Sequence, residues 1–194
     1  MNSSPWQGRN QSSENSCWHH VVEITTKIRS QSHCLLGFNC DEGVRRNNGR
    51  TGAATGPDQI RKMLSNLIYS SEKPLIDLGN VECIGDLLDD AQENLANRVA
   101  DVIYAKSLPI ILGGGHEIAW GTYQGIRQVH PNAKIGIINF DAHFDLRPVD
   151  SKPNSGTPFN QILTEYGETT SYLAIGIQQA SNTKELFKIA QEKK

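Results

Sequence analysis

Apolar positions fall along the chain in two alternating textures: short unbroken runs, and longer stretches in which they recur every three or four residues. The runs are HCLLGFNC at 33–40, PLIDLGNV at 74–81, LPIILGGG at 108–115, AKIGIINF at 133–140 and SYLAIGI at 171–177. Unbroken runs of this length predict strands buried on both faces. Helical spacing occupies 57–69, opened by Pro57, then 86–107, 116–130, 158–166 and 182–194. Within 86–107, Leu88, Leu95, Val99, Val102 and Ile103 share one face. Strands alternating with helices predict a mainly parallel sheet covered on both sides, a three-layer α/β/α fold. The polar residues 1–20 predict a loose arm preceding the body of a single domain over 1–194. The loop DEGVRRNNGRTGAATGP at 41–57 is long for a connection, and long loops in compact domains are often functional. The chain stops on a predicted helix, with no closing strand.

Composition narrows the classes. The 194 residues are 37% hydrophobic and 21% charged, enough for a sizeable core. The formal net charge is −2 and no basic block is present, which argues against nucleic acid or an anionic membrane surface as partner. No apolar run reaches the roughly 20 residues of a membrane helix, and residues 1–20 lack the apolar stretch of a signal peptide. The four cysteines, Cys17, Cys34, Cys40 and Cys83, form no C-x-x-C pair, so a reduced, cytoplasmic setting is the simplest expectation.

Two stretches carry chemistry. In IINFDAHFDLRP (137–148), an apolar run leads into Asp141, His143 and Asp145, spaced by two. In LGGGHE (112–117), another run ends in glycines and His116. Both lie at expected carboxyl ends of strands, where ligands gather in open parallel sheets. In an extended segment, residues i, i+2 and i+4 point to one side, so the three polar side chains are expected to converge. Carboxylates with imidazoles suit a divalent first-row metal such as manganese. D-x-H could alternatively be a turn with satisfied hydrogen bonds. GGGH could be a phosphate loop, but it lacks the Lys and Ser/Thr of a P-loop and the spacing of a dinucleotide fingerprint.

These stretches resemble the ureohydrolases, the family of arginases, agmatinases and formimidoylglutamases. The family motif G-G-[DG]-H matches Gly113 to His116, and D-A-H-x-D matches Asp141 to Asp145. WQGRN (6–10), GFNCDEGVRRNNGRTGA (37–53), LGGGHEIAWGTYQG (112–125), INFDAHFDLRP (138–148) and SGTPFNQI (155–162) look most like the formimidoylglutamase branch. The resemblance implies an arginase-like α/β/α fold with two Mn2+ ions. It implies His116, Asp141, His143 and Asp145 as ligands, with Asp141 bridging. It also implies a metal-bound hydroxide as the attacking group, assisted by Asp145. The implied reaction is hydrolysis of N-formimidoyl-L-glutamate to L-glutamate and formamide, in histidine degradation. A small-molecule substrate and a homo-oligomer are further expectations.

Departures from the arginase and agmatinase pattern bear on substrate. Where those enzymes usually carry a His in H-G-x-P, this chain has Ser155. Where arginases carry an Asn, it has Arg147, whose guanidinium suits a substrate bearing carboxylates. Pairing of Arg147 with an acid such as Asp150 is the plainer alternative, and Arg45, Arg46 and Arg50 include solvated loop charges. An agmatinase or guanidino-acid hydrolase is the alternative enzyme. The family's third motif, with two further carboxylate ligands, has no counterpart, since no Asp follows Asp150. The chain is therefore expected to be an N-terminal portion of a ureohydrolase domain, and a truncated, non-catalytic product is the competing reading.

Overall fold

The structure is a computed structural model describing residues 4–9 and 16–193. In chain order the elements are α1 (Trp18–Val21), β1 (Glu23–Ile24), β2 (His33–Asn39), α2 (Glu42–Arg46), α3 (Gly56–Leu64), β3 (Leu75–Glu82) and α4 (Leu88–Tyr104). They continue with β4 (Leu108–Gly113), α5 (Ile118–Val129), β5 (Ile135–Phe140), α6 (Pro158–Tyr166), β6 (Thr170–Ile175) and α7 (Lys184–Glu192). Each predicted apolar run is a strand and each predicted helical stretch contains a helix, with ends shifted by a few residues.

β2 runs through the middle of a four-stranded parallel sheet of order β1-β3-β2-β4. Its five central residues are all buried, the burial expected of a strand covered on both faces. On one face Cys34, Leu36 and Phe38 join Ile76 and Leu78 of β3 against Leu88, Leu95, Val99 and Val102 of α4. On the other face Leu35, Leu75 and Leu112 meet Leu64, Tyr69 and two tryptophans, Trp6 and Trp18. Over this sheet the molecule has three layers.

The expected single sheet is in two parts. β5 and β6 form a separate parallel pair, and β4 and β5 are not hydrogen-bonded neighbours. One face of the pair packs on Tyr123, Phe159, Ile162, Leu163 and Leu186, from α5, α6 and α7. The opposite face is bare: Phe140 is 79% exposed, Ile138 62% and Leu173 55%. α5 ties the two parts together, because Ile118 and Ile126 pack into the first core while Tyr123 belongs to the second.

The described part of the expected loose arm is packed; residues 1–3 and 10–15 lie outside the described residues. Trp6 is buried, and its indole N–H donates to Asp77 Oδ2 at 2.6 Å. Asp77 also accepts from buried Arg61 of α3, at 2.8 Å on each oxygen. The backbone of Trp18 donates to Leu67, and Tyr69 donates to Ser16. Polarity in the sequence concealed two tryptophans that reach the core.

Candidate metal centre

β4 ends at Gly113, and the chain must then turn to start α5. Gly114 makes that turn at φ +33°, where a Cβ would stand 2.5 Å from the carbonyl oxygens of Phe38 and Cys40. The turn is pinned by Gly115 N–H donating to Cys40 O. It is also held by Glu117, a buried side chain whose carboxylate accepts from Gly43 N–H at 2.9 Å. Burial raises the Glu117 carboxyl above its ordinary value. Gln92 of α4 donates to the Glu117 carbonyl at 2.7 Å, fastening this corner to the first core. His116 emerges with its ring edge-on to Phe159, which in turn stacks on Tyr172.

β5 hands over Asp141, whose N–H still donates to Ile175 O of β6. Beyond it the strand ends, so the two-residue alternation of a pleat does not place the side chains. Asp141 Oδ1 accepts from the backbone N–H of His143, forming a local turn. Asp145 then adopts φ +47°, in the left-handed region that Asp tolerates better than most residues. Asn182 clamps the segment by accepting from Phe144 N–H and donating to Ala142 O, and Tyr172 donates to Phe144 O.

The result is a tight group of three. His116 Nδ1 lies 2.6 Å from Asp145 Oδ2 and 3.2 Å from Asp141 Oδ2. One ligand atom from each of these residues lies within 4.8 Å of the others. His143 stands beside this group, not in it. Its Nδ1 is 3.4 Å from Asp141 Oδ1, and its side chain is 56% exposed. The expected convergence therefore holds for Asp141 and Asp145, brought about by a turn, while His143 faces the open side. Burial works to lower the His116 pKa, but the hydrogen bond and charge of Asp145, with Asp141 behind it, outweigh burial and raise it. Two carboxylate oxygens and an imidazole nitrogen facing one point, half-buried, form a donor set that fits a divalent first-row cation.

The group lines an open cavity of about 410 Å³ that also takes in Asn47, Arg147 and Ser155. The backbone of Arg147 donates to Gly156 O, and that of Ser155 donates to Gly43 O. Asn47 links the two side chains, donating to Ser155 Oγ at 3.2 Å and accepting from Arg147 at 3.4 Å. Among the described residues Arg147 has no ion pair, with Asp150 or any other acid. Arg45 and Arg46 both pair with Glu42, and Arg46 also donates to the carbonyls of Pro153 and Asp86, so these two hold loops together. Arg50 is exposed. Glu117, Gln92, Asn47, Asn182 and Tyr172 were not singled out from the sequence. Only Glu117, an acid beside His116 at the start of an apolar helix, left a signal there.

Parallel strands whose carboxyl ends deliver an imidazole and carboxylates to a common cavity define an α/β protein with a candidate metal site. The chain belongs to the arginase family, whose model matches residues 31–194. It is 46% identical over 191 residues to a formimidoylglutamase of Chromobacterium violaceum, a match covering 95% of this chain and 62% of that protein. Among solved structures, a Mn2+-bound formiminoglutamase of Trypanosoma cruzi superposes with a TM-score of 0.75 at 28% identity, over 84% of this chain and 58% of the other. The formimidoylglutamase of Bacillus subtilis shares the fold, with a TM-score of 0.80 at 23% identity over 97% and 62% of the two chains. The chain thus spans about 62% of the length of these curated relatives.

Proposed function

We propose that this chain carries the greater part of a manganese-dependent formimidoylglutamase. The protein would hydrolyse N-formimidoyl-L-glutamate to L-glutamate and formamide. The observation that carries this reading is the group of His116, Asp141 and Asp145 lining a cavity that also holds Arg147, which has no ion pair among the described residues. The likeness to proteins named formimidoylglutamase supports the substrate.

His116, Asp141 and Asp145 would hold one ion, and His143 beside Asp141 would help to hold a second. Manganese bound there would acidify water and polarise the amidine, lowering the barrier to attack. The chain's own residues supply placement and proton handling. In net terms a water oxygen bonds to the formimidoyl carbon and the bond from that carbon to the glutamate nitrogen breaks; one water proton goes to that nitrogen and the other to the imino nitrogen, which becomes the amide of formamide. Asp145, at the cavity wall, would accept a hydrogen bond from the attacking water or hydroxide. Arg147 offers its remaining N–H donors to a substrate carboxylate, and Asn47 holds Ser155 beside it. A substrate without carboxylates, such as agmatine, gains nothing from Arg147, which disfavours the agmatinase alternative.

Three observations favour a second reading for the chain as given. The sheet is split between β4 and β5, one face of β5–β6 is bare, and no Asp follows Asp150 to complete a two-ion site. Residues 1–194 alone would then bind metal incompletely and turn over little substrate. The four cysteines, all unbridged, fit a reducing compartment, and we assign the protein to the cytoplasm. Among the described residues no helix is long and apolar enough to cross a membrane.

The deciding experiment measures formamide release with excess manganese. It compares residues 1–194 with a version carrying the matching remainder of a relative such as that of C. violaceum. Turnover of formimidoylglutamate, but not of agmatine or 4-guanidinobutyrate, by the extended protein alone is the expected result. Preference for either guanidino substrate would overturn the assignment.

A further inference from the structure

A second, separate cluster of metal-ligating side chains lies at the N-terminal end of the described body. Cys17, His19 and His20 each offer a ligand atom, all within 4.8 Å of one another. They sit on and just before α1, against the segment that follows α3. There Trp18 N–H donates to Leu67 O, and His19 N–H donates to Ser65 O.

Each ring keeps one nitrogen without a hydrogen-bond partner among the described residues. His19 Nδ1 lies 2.6 Å from Ser65 O, and since a carbonyl only accepts, that nitrogen carries the proton. Nε2 of His19 therefore presents a lone pair, and it is shielded from solvent with no hydrogen-bond partner among the described residues. Nδ1 of His20 is likewise shielded from solvent and without a hydrogen-bond partner among the described residues. The two ring centres are 3.9 Å apart. A buried polar atom without a partner is destabilising, so two neighbouring ones call for a shared occupant. The Cys17 thiol beside them makes a long contact of 3.7 Å to Asn66 O.

The arrangement matches metal ligation on two independent counts. An imidazole whose other N–H is fixed by a backbone carbonyl is how ligating histidines are oriented. A thiolate with two imidazoles is also a softer donor set than that of the candidate manganese centre. It suits a tetrahedral zinc-class ion with one position left for water. We propose that Cys17, His19 and His20 form a second, zinc-class metal site that pins the N-terminal segment to the end of α3. On binding, the Cys17 thiol gives up its proton and His19 keeps its hold on Ser65.

The test uses Co2+ as a spectroscopic stand-in for zinc, followed by Zn2+. It is run on Asp141→Ala, and in parallel on the unsubstituted chain preloaded with manganese. The expected result in both is one equivalent of Co2+ giving a thiolate-to-cobalt charge-transfer absorption that Zn2+ displaces. Cys17→Ser should abolish that absorption and weaken Zn2+ binding by more than about 10-fold, and His20→Ala should weaken it likewise. Zinc should raise the melting temperature of Asp141→Ala but not of the double variant Asp141→Ala, Cys17→Ser. Absence of the thiolate absorption in both starting proteins would overturn the proposal, leaving a buried water as the occupant. Its persistence in Cys17→Ser would overturn it as well, by assigning the signal to another cysteine.

Discussion

Oδ2 of Asp145 lies 2.6 Å from Nδ1 of His116, although the strands that lead to them, β5 and β4, belong to different sheets. The candidate centre thus spans the line along which the sheet is divided. Each half brings part of the donor set: His116 from the turn after β4, Asp141 and Asp145 from the segment after β5. Packing of α4 on α5, and of α5 on α6, holds the halves in register there.

This geometry ranks the four candidate ligands. In residues 1–194, His116→Ala, Asp141→Ala and Asp145→Ala should each sharply reduce Mn2+ binding, whereas His143→Ala should reduce it less. In the extended protein Asp141→Ala should cost both ions, because its two oxygens face different histidines. Manganese stoichiometry of the purified variants checks this, and equal losses in His143→Ala and His116→Ala of the short chain would count against the ranking.

Arg147→Asn in the extended protein should raise KM for formimidoylglutamate. A hydrogen bond to a charged group is worth about 1.5–3 kcal/mol, so kcat/KM should fall on the order of 10- to 100-fold. An analogue lacking the substrate carboxylates should show no such fall. Equal losses on both substrates would make Arg147 a structural residue.

Glu42 should impart an acid limb to stability. The hydrogen bond from Arg45, helped by that of Arg46 and only partly opposed by burial, lowers the Glu42 carboxyl from 4.5 to about 2. A carboxyl that ionises more readily when folded stabilises the fold fully above its unfolded value and loses that contribution as pH falls from about 4.5 towards 2. Glu42→Gln should therefore cost roughly 1.5–3 kcal/mol at neutral pH and much less at the acid end. Urea denaturation at several pH values reads the difference, and a cost that does not shrink with acid would refute it.

The buried pair of Arg61 and Asp77 should behave differently. Asp77→Ala strands a buried guanidinium and orphans the Trp6 indole, which should cost about 3–5 kcal/mol. Arg61→Met combined with Asp77→Leu should recover much of that loss, because no uncompensated charge remains. Tryptophan fluorescence followed through denaturation would report both.

The bare face of β5–β6 should limit solubility. Ile138 and Phe140 are exposed beside open strand edges, and such surfaces invite association. Ile138→Thr with Phe140→Thr should raise the soluble yield of residues 1–194 and reduce light scattering. No change in either would show that this face is not what associates.

What the sequence determined by itself is whatever rests on local pattern. Burial on both faces forces unbroken apolar runs, so the strands were legible. A helix against a core needs a 3.6-residue stripe, so Leu88, Leu95, Val99 and Val102 marked α4 correctly. Chemistry at strand ends stands out against those runs, so His116, Asp141 and Asp145 were also visible. Tertiary structure decided what depends on partners distant in the chain. The pleat did not bring Asp145 to His116; a left-handed turn did, and that turn is held by Asn182 and Tyr172 from elements about 30 or more residues away in sequence. The division of the sheet was equally invisible, because strand pairing is a matter of which edges meet in space, and β4 and β5 look alike as strings. Trp6 was hidden among polar neighbours because a single aromatic has no period, and only the fold supplied Asp77 and Trp18 for it to meet.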